Sequence, residues 1–118
     1  MKRKLEETSA ERPAGGVKEK IPAYFIVNIR ITDASKRNQY DEYIAKVKPI
    51  VERYGGKYLV RSERITAMWD SPKPDRVIII QFPSKTRILQ WLSSPEYREI
   101  AGLRTESVEG ETIIVEEI

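Results

Sequence analysis

The sequence contains no cysteine and no histidine among its 118 residues. Without cysteine the chain can form no disulfide, no thiolate nucleophile and no thiolate metal site. Without histidine, acid–base chemistry is left to carboxylates, Tyr, Lys and Arg, and a zinc or haem centre is disfavoured. We therefore expect a protein that uses no cofactor.

A strong excess of one charge is also missing. The net charge is +3. Residues 1–20 hold six of the 21 Lys and Arg and four of the 18 Asp and Glu, so residues 21–118 hold 15 basic and 14 acidic residues. The rest of the chain is thus nearly neutral, which argues against a nucleic-acid partner. The sequence also lacks a Gly-rich phosphate loop, a nucleophile elbow and metal-ligand spacing.

The first 20 residues contain no apolar run and include a Pro/Gly-containing stretch. They are predicted to form a disordered polar tail, and they lack the apolar centre of a signal peptide. We expect a cytoplasmic protein without a membrane partner. The remaining residues, 21–118, are enough for one domain with a modest core, given 40% hydrophobic and 33% charged residues overall.

Alternating apolar residues predict a first strand from Pro22 onwards, with Phe25, Val27, Ile29 and Ile31 on one face and Tyr24, Ile26, Asn28 and Arg30 on the other. An amphipathic helix follows, in which apolar residues recur at spacings of three and four. Thr32 or Asp33 can cap it, Pro49 predicts a kink, and Gly55-Gly56 ends it.

A second strand begins at Lys57, and we expect it to run through Trp69 as one arm of a long hairpin that turns at "DSPKPD". "RVIIIQF", residues 76–82, is apolar on both faces, which is typical of a central strand. Ser84 can cap a short helix, and Ser94 with Pro95 restarts it. "ETIIVEEI" is the fourth strand.

This order of elements predicts an α+β fold, the ferredoxin-like split βαβ subunit, with strands one and three in the centre of the sheet. Two helices cover only one side of such a sheet. The other side would expose apolar residues, which we identify as Ile26, Leu59, Val77, Ile79 and Ile114. A second sheet packed against this side is the simplest remedy, so we predict a homodimer through the sheet face.

The spaced motifs "YGGKYLVR", "RVIIIQFPS" and "QWLSSPEYREIAGLR", with the strands around them, resemble family 1330 of the domains of unknown function over about residues 22–118. The resemblance implies a dimeric α+β barrel with a cleft between the sheet and the helices. Two positions depart from the family pattern. Arg61-Ser62-Glu63 stands where the family commonly has Arg-Gly-Gly. Gln81 stands where the family commonly has Glu before Phe-Pro-Ser, and this second departure weakens any assignment of a general base at that position.

Strand parity suggests a binding site around Arg61. If Leu59 faces the uncovered side, Arg61 does too, and Tyr24, Asn28 and Gln81 would join it there from neighbouring strands. A buried guanidinium needs a partner, and an organic carboxylate is one candidate. An ion pair with Glu63, with Glu116 or with a residue across the dimer is the alternative. In either case we predict that Arg61 points into the cleft and that Arg64 is exposed.

Tyr97 and Arg104 lie seven positions apart on one helix and would share a face at the mouth of the cleft. The alternatives are that Tyr97 packs on the sheet and that Arg104 caps the helix. Tyr24 and Tyr97 would be the proton donors of a catalytic site. Trp69 is a candidate ligand contact, with a core or dimer contact as the alternative.

Two classes of function lead, ahead of a third, nucleic-acid binding on the open sheet face, which the near-neutral charge disfavours. The first is a small-molecule-binding or cofactor-independent catalytic domain with a polar and aromatic cleft for an organic acid or aromatic ligand, by analogy with monooxygenases and isomerases of the superfamily. The second is a non-catalytic homodimeric interaction or stress-related protein, in which the same side chains only specify the interface. The sequence alone does not decide whether the protein is an enzyme.

Overall fold

The computed structural model describes residues 21–118, so the tail predicted for residues 1–20 lies outside the described residues. Four strands and three helices follow in the order β1 (Ala23–Arg30), α1 (Arg37–Arg53), β2 (Lys57–Ser62), β3 (Arg76–Phe82), α2 (Lys85–Ser93), α3 (Pro95–Thr105) and β4 (Glu109–Glu116), with a single 3-10 turn at Ala34–Lys36 before α1. No helix in this part of the chain is long and apolar enough to cross a membrane.

The four strands form one antiparallel sheet in the order β2-β3-β1-β4. This is the predicted split βαβ arrangement, with β1 and β3 in the centre. Burial along β1 alternates at every residue, because one face lies under the helices and the other does not. The sheet is therefore covered on one side only, as the count of helices predicted.

Most helix boundaries follow the predicted start and stop residues, but α1 begins at Arg37, after a 3-10 turn that Asp33 caps. Asp33 accepts a hydrogen bond from the backbone N–H of Ser35 at 3.0 Å and begins the 3-10 turn. Helix α1 runs through Pro49 and ends before Gly55, which has a φ of 85° that favours glycine. Ser84 and Ser94 accept hydrogen bonds from the backbone N–H three residues ahead and cap α2 and α3.

The core lies between the helices and the covered face of the sheet. Trp91 of α2 is its centre, 1% exposed, with its ring stacked on Phe82 at 5.4 Å and edge-on to Phe25 at 5.0 Å and Tyr97 at 4.9 Å. A methyl group on Gly56 would lie 2.8 Å from the Phe82 ring, so this position needs a residue without a side chain. The aromatic cluster fixes both later helices against the sheet.

The prediction that the second strand runs through Trp69 as one arm of a long hairpin is wrong. Strand β2 ends at Ser62, and residues 63–75 form a loop before β3 begins at Arg76. The base of the loop is held by Asp75, whose backbone N–H donates to the Ile29 carbonyl at 2.8 Å and whose carboxylate accepts from the Ile31 N–H at 2.8 Å. These bonds satisfy backbone groups that a continued strand would have paired.

One row of apolar side chains crosses the uncovered face of the sheet. The register aligns one residue from each strand, in the order Val60, Ile79, Ile26 and Ile113. Ile114 was expected on this face, but it pairs with the buried Phe25 and packs on the core instead. Strand β4 thus presents Ile113, 58% exposed, and Val115, 41% exposed, on the uncovered side.

Candidate functional site

A cavity lies between the covered face of the sheet and helix α1. The space open to the centre of a water molecule inside it is about 30 Å³. Its walls combine aliphatic and aromatic side chains with guanidinium groups: Phe25, Val27, Tyr40, Tyr43, Ile44, Val47, Tyr58, Arg61, Arg76, Ile78, Ile80, Trp91 and Arg104. No Asp, Glu or Lys belongs to this lining. The cavity is therefore apolar in its walls and cationic in its charged groups.

Arg61 reaches the cavity because strand β2 is irregular. Tyr58 pairs with Ile80 and Val60 pairs with Ile79, so the register shifts at Leu59. Such a bulge adds one residue to the strand and reverses the alternation after it. Arg61 therefore shares the helix side with Tyr58, and its guanidinium carbon lies 4.7 Å from the centre of that ring. The prediction from strand alternation that Arg61 lies on the uncovered face is therefore wrong.

Arg61 was predicted to point into a cleft from the uncovered face, but it lines the cavity on the covered side instead; Arg64 is exposed as expected. Arg61 is itself an exposed residue, so it forms part of the rim of the cavity. Among residues 21–118, no carboxylate lies within ion-pair distance of its guanidinium; Glu63, one of the expected partners, pairs with Arg37 and Arg76. The ion-pair alternative thus finds no partner in the described chain.

Arg104 enters the cavity from helix α3 and is positioned by strand β4. Its Nη2 donates to the Thr112 hydroxyl at 3.2 Å. A methyl group on Gly110 would lie 2.8 Å from the same nitrogen and 3.1 Å from Ile29 Cδ1. Gly110 therefore leaves the space through which the guanidinium passes. The prediction that Arg104 lies at the cleft agrees with this position.

Sequence reasoning missed Arg76, the first residue of β3. Its Nη1 lies 3.3 Å from Glu63 Oε2, which also accepts from Arg37 Nη2 at 2.8 Å. The side chain of Arg76 is only 12% exposed, and its Nε is buried without an acceptor. Trp91 Nε1 is the other buried donor without an acceptor in the described residues. One carboxylate, Glu63, is thus shared by two guanidinium groups at the edge of the cavity.

Four tyrosines surround or support the cavity, and three of them were missed. Tyr40 and Tyr43 on α1 and Tyr58 on β2 line it directly. The hydroxyls of Tyr43 and Tyr97 are 3.0 Å apart and buried, so Tyr97 is connected to the cavity through Tyr43. The spacing of Tyr40 and Tyr43 along α1 was available in the sequence, but it indicates only a buried helix face.

Burial makes these phenols harder to ionise than an exposed tyrosine. Desolvation is the main cause that raises the pKa of Tyr58 to about 12. It also raises the pKa of Tyr43 far above its usual value, and the Tyr97 hydroxyl adds to this effect. Desolvation raises the pKa of Tyr40 too, while the charge of Arg76 opposes the shift. At neutral pH the site therefore presents phenol O–H groups, which can donate hydrogen bonds to a ligand.

The structure does not bring the other predicted residues to this cavity. Tyr24, Asn28 and Gln81 lie on the uncovered face. Asn28 and Gln81 were expected side by side on parallel strands, but β1 and β3 are antiparallel, so Asn28 pairs with Val77 and Gln81 with Tyr24. The Tyr24 hydroxyl accepts from Gln81 Nε2 at 3.3 Å and donates to the Glu117 carboxylate at 2.9 Å, which raises the pKa of Tyr24.

Trp69 also lies away from the cavity. It is 90% exposed in the loop 63–75, and its φ of 54° is unusual for a bulky residue. The described residues contain no cluster of three acidic side chains that could hold a metal ion. The site that the structure assembles thus consists of Arg61, Arg76, Arg104 and the tyrosines under helix α1.

The chain belongs to the family described as a domain of unknown function, DUF1330, which it matches over residues 22–118. This finding confirms the resemblance inferred from the spaced motifs. No curated protein matches the chain significantly.

Solved structures share the fold at low sequence identity. A protein of unknown function from Rhodopseudomonas palustris is 21% identical, with 84% of each chain covered and a TM-score of 0.69. A protein from Jannaschia sp. CCS1, described as dimeric, ferredoxin-like and of unknown function, is 12% identical, with 82% of this chain and 99% of that chain covered and a TM-score of 0.69. SnoaB, a cofactor-independent oxygenase from Streptomyces nogalater, is 12% identical, with 80% and 91% covered and a TM-score of 0.59. The ferredoxin-like fold is therefore confirmed.

Proposed function

We propose that this DUF1330 domain binds a small organic anion in the cavity between its sheet and helix α1. One observation carries the proposal. Arg61, Arg76 and Arg104 come from three different elements and line one cavity whose lining contains no carboxylate. Like charges that converge in a partly buried site repel one another, and an anion relieves this repulsion. Guanidinium groups also match the planar geometry of a carboxylate.

The size of the cavity limits the ligand. A space of about 30 Å³ for water centres has room for about two waters. A carboxylate group fits this space, and a larger body requires the rim to open. Arg61 is suited to this movement, because in the described chain only the Tyr58 ring holds its guanidinium. The apolar walls from Val27, Ile44 and Ile78 favour an aliphatic or aromatic body on the acid.

Catalysis without a cofactor is the second candidate for this cavity. The shared fold of SnoaB, at 12% identity, supports this candidate by analogy only. Within this chain it is supported by the buried hydroxyl pair of Tyr43 and Tyr97, which could donate a hydrogen bond to a developing negative charge. Binding of an anion is the part of this function that both candidates share.

The proposal includes a homodimer formed through the uncovered face. The row of Val60, Ile79, Ile26 and Ile113 would otherwise leave apolar surface in water. The positions beside the row mix polar and apolar residues, with Gln81, Tyr24 and Val115 on one side and Val77 and Asn28 on the other. Protein interfaces commonly combine an apolar centre with polar groups around it. A non-catalytic interaction protein, the alternative function, would depend on this face and not on the cavity.

Calorimetric titration with a panel of aliphatic and aromatic carboxylates tests the proposal. The parent protein should bind at least one acid, and Arg61→Met should weaken that binding by about 10- to 100-fold, since hydrogen bonds to charged groups contribute about 1.5–3 kcal/mol. Arg64→Met is the matched control, because Arg64 is exposed three residues further along and should bind like the parent. Absence of binding to every acid, or equal losses in both variants, would contradict the proposal.

A further inference from the structure

The cavity contains no side chain that could take a proton from a ligand at neutral pH. Its titratable groups are three phenols and three guanidiniums: Tyr40, Tyr43, Tyr58, Arg61, Arg76 and Arg104. A guanidinium is charged at all accessible pH values and has no acceptor for a proton. The phenols have pKa values raised by burial, so they too hold their protons. Every ionisable group that faces the cavity is a hydrogen-bond donor in its resting state.

Two carboxylates that interact with cavity residues cannot replace the missing base. Glu63 is held by Arg37 and Arg76, and the hydrogen bond from Arg37 is the main cause that lowers its pKa. A carboxylate with a lowered pKa is a weaker base than usual. Glu52, which lies near Tyr58, forms an ion pair with Lys48 at 2.6 Å on the outer side of α1. Neither residue lines the cavity.

The elements around the cavity supply no other base. Helix α2 contributes Trp91, strand β1 contributes Phe25 and Val27, and helix α3 contributes Arg104 with Tyr97 behind it. Tyr97 is a phenol whose hydroxyl is hydrogen-bonded to that of Tyr43, so it does not supply a base. A neutral acid bound in the cavity would therefore find no proton acceptor among the described residues. Its proton could pass only to bulk water at the rim.

We infer that the cavity selects ligands that enter already ionised, so its substrate class is carboxylates and strongly acidic enols or phenols, and the protein does not deprotonate them. This inference rests on the proposed function and deepens it. The ligand binds as the anion and keeps its charge, while the guanidiniums and phenol hydroxyls donate hydrogen bonds to its oxygens. No covalent bond forms or breaks, and no proton moves between ligand and protein. Neutral alcohols, amides and weakly acidic phenols are rejected, because they leave the guanidiniums of Arg61 and Arg104 without a counter-charge; Arg76 already pairs with Glu63.

The test is a titration of the full chain with substituted phenols of graded acidity, together with benzoate and its neutral amide analogue, between pH 6 and pH 9. Affinity for each phenol should fall as the pH drops below the pKa of that phenol, so that the midpoint moves with the ligand. Benzoate should bind at least about tenfold more tightly than benzamide, because charge-assisted hydrogen bonds are about twice as strong as neutral ones. Titration in buffers of different ionisation enthalpy should detect no proton exchange when benzoate binds at neutral pH.

The variant Tyr43→Phe tests whether the Tyr43 hydroxyl acts on the ligand as a hydrogen-bond donor or as a base. It should weaken binding of benzoate severalfold but leave every pH midpoint unchanged, because Tyr43 donates a hydrogen bond and takes no proton. A midpoint common to all ligands, a midpoint that moves in Tyr43→Phe, or equal affinity for benzoate and benzamide would overturn the inference while leaving ligand binding intact. Failure of every anion to bind would instead overturn the proposed function, and the inference with it.

Discussion

The guanidinium of Arg61 lies over the ring of Tyr58, 4.7 Å from its centre, although the two residues are three positions apart on one strand. In a regular strand such residues point to opposite faces of the sheet. The bulge at Leu59 places both on the helix side, where they form the rim of the cavity. A single extra residue in an edge strand therefore determines which face of the sheet carries a candidate anchor for an anion.

Replacing Ile113 by Glu should dissociate the proposed dimer. Ile113 ends the apolar row on the uncovered face, and a charge buried at a sheet-to-sheet interface has no partner there. Sedimentation should find the parent at about twice the mass of one chain and Ile113→Glu at the mass of one chain, with unchanged secondary structure by circular dichroism.

Leu89→Glu is the matched control for this experiment. Leu89 is 48% exposed on helix α2, which covers the opposite side of the sheet. This variant should remain a dimer. A parent protein that sediments as a monomer at micromolar concentration, or dissociation by both variants alike, would rule out the uncovered face as the interface.

Gly110→Ala should weaken ligand binding without removing any charge. The new methyl group would lie 2.8 Å from Arg104 Nη2, so the guanidinium must leave its place beside Thr112. Loss of one positioned charged donor should reduce affinity for a carboxylate by about tenfold. Calorimetry measures the affinity, and thermal melting checks that the variant is folded.

Gly102→Ala supplies the comparison. Its methyl group would meet only the flexible end of Glu106, at 3.3 Å, and alanine favours a helix over glycine by up to about 1 kcal/mol. This variant should bind like the parent and melt at the same temperature or higher. Equal affinities for the parent and Gly110→Ala would mean that Arg104 does not contact the ligand.

Tyr97→Phe should destabilise the fold by about 1–3 kcal/mol, because it leaves the buried Tyr43 hydroxyl without its partner. Urea denaturation of the parent, both single variants and the double variant Tyr43→Phe/Tyr97→Phe measures the coupling between the two hydroxyls. The double variant should lose less than the sum of the single losses, since it leaves no unpaired hydroxyl. Additive losses would show that the two groups act independently.

Glu63→Gln should destabilise the protein at pH 7 but not in acid. The Arg37 hydrogen bond lowers the pKa of Glu63 in the folded protein below its usual value of 4.5. The resulting stability is present above pH 4.5 and is lost as the pH falls through the folded pKa, because the parent carboxylate then becomes neutral. Denaturation curves at pH 7 and pH 3 should show a difference between parent and variant that shrinks in acid. A constant difference would mean that the charge of Glu63 is not involved.

The sequence by itself determined the order of the elements, the ends of the helices and the uncovered face. Alternation in β1, the cap residues Ser84 and Ser94, and Gly55 act through neighbouring backbone geometry, so they can be identified in a single sequence. The family pattern agreed with this prediction over nearly the whole domain.

Only the tertiary structure decided which polar residues share a site. The bulge at Leu59 moved Arg61 to the covered side, and the register of β4 exchanged Ile114 for Ile113 on the uncovered side. Arg76 joined the site because its side chain, at the start of β3, comes close to Tyr40 of α1 in the same cavity. Strand register has a period of two, so a shift of one residue reverses the face of every side chain that follows. That shift is set by pairing with strands distant in the chain, and a local sequence pattern does not contain it.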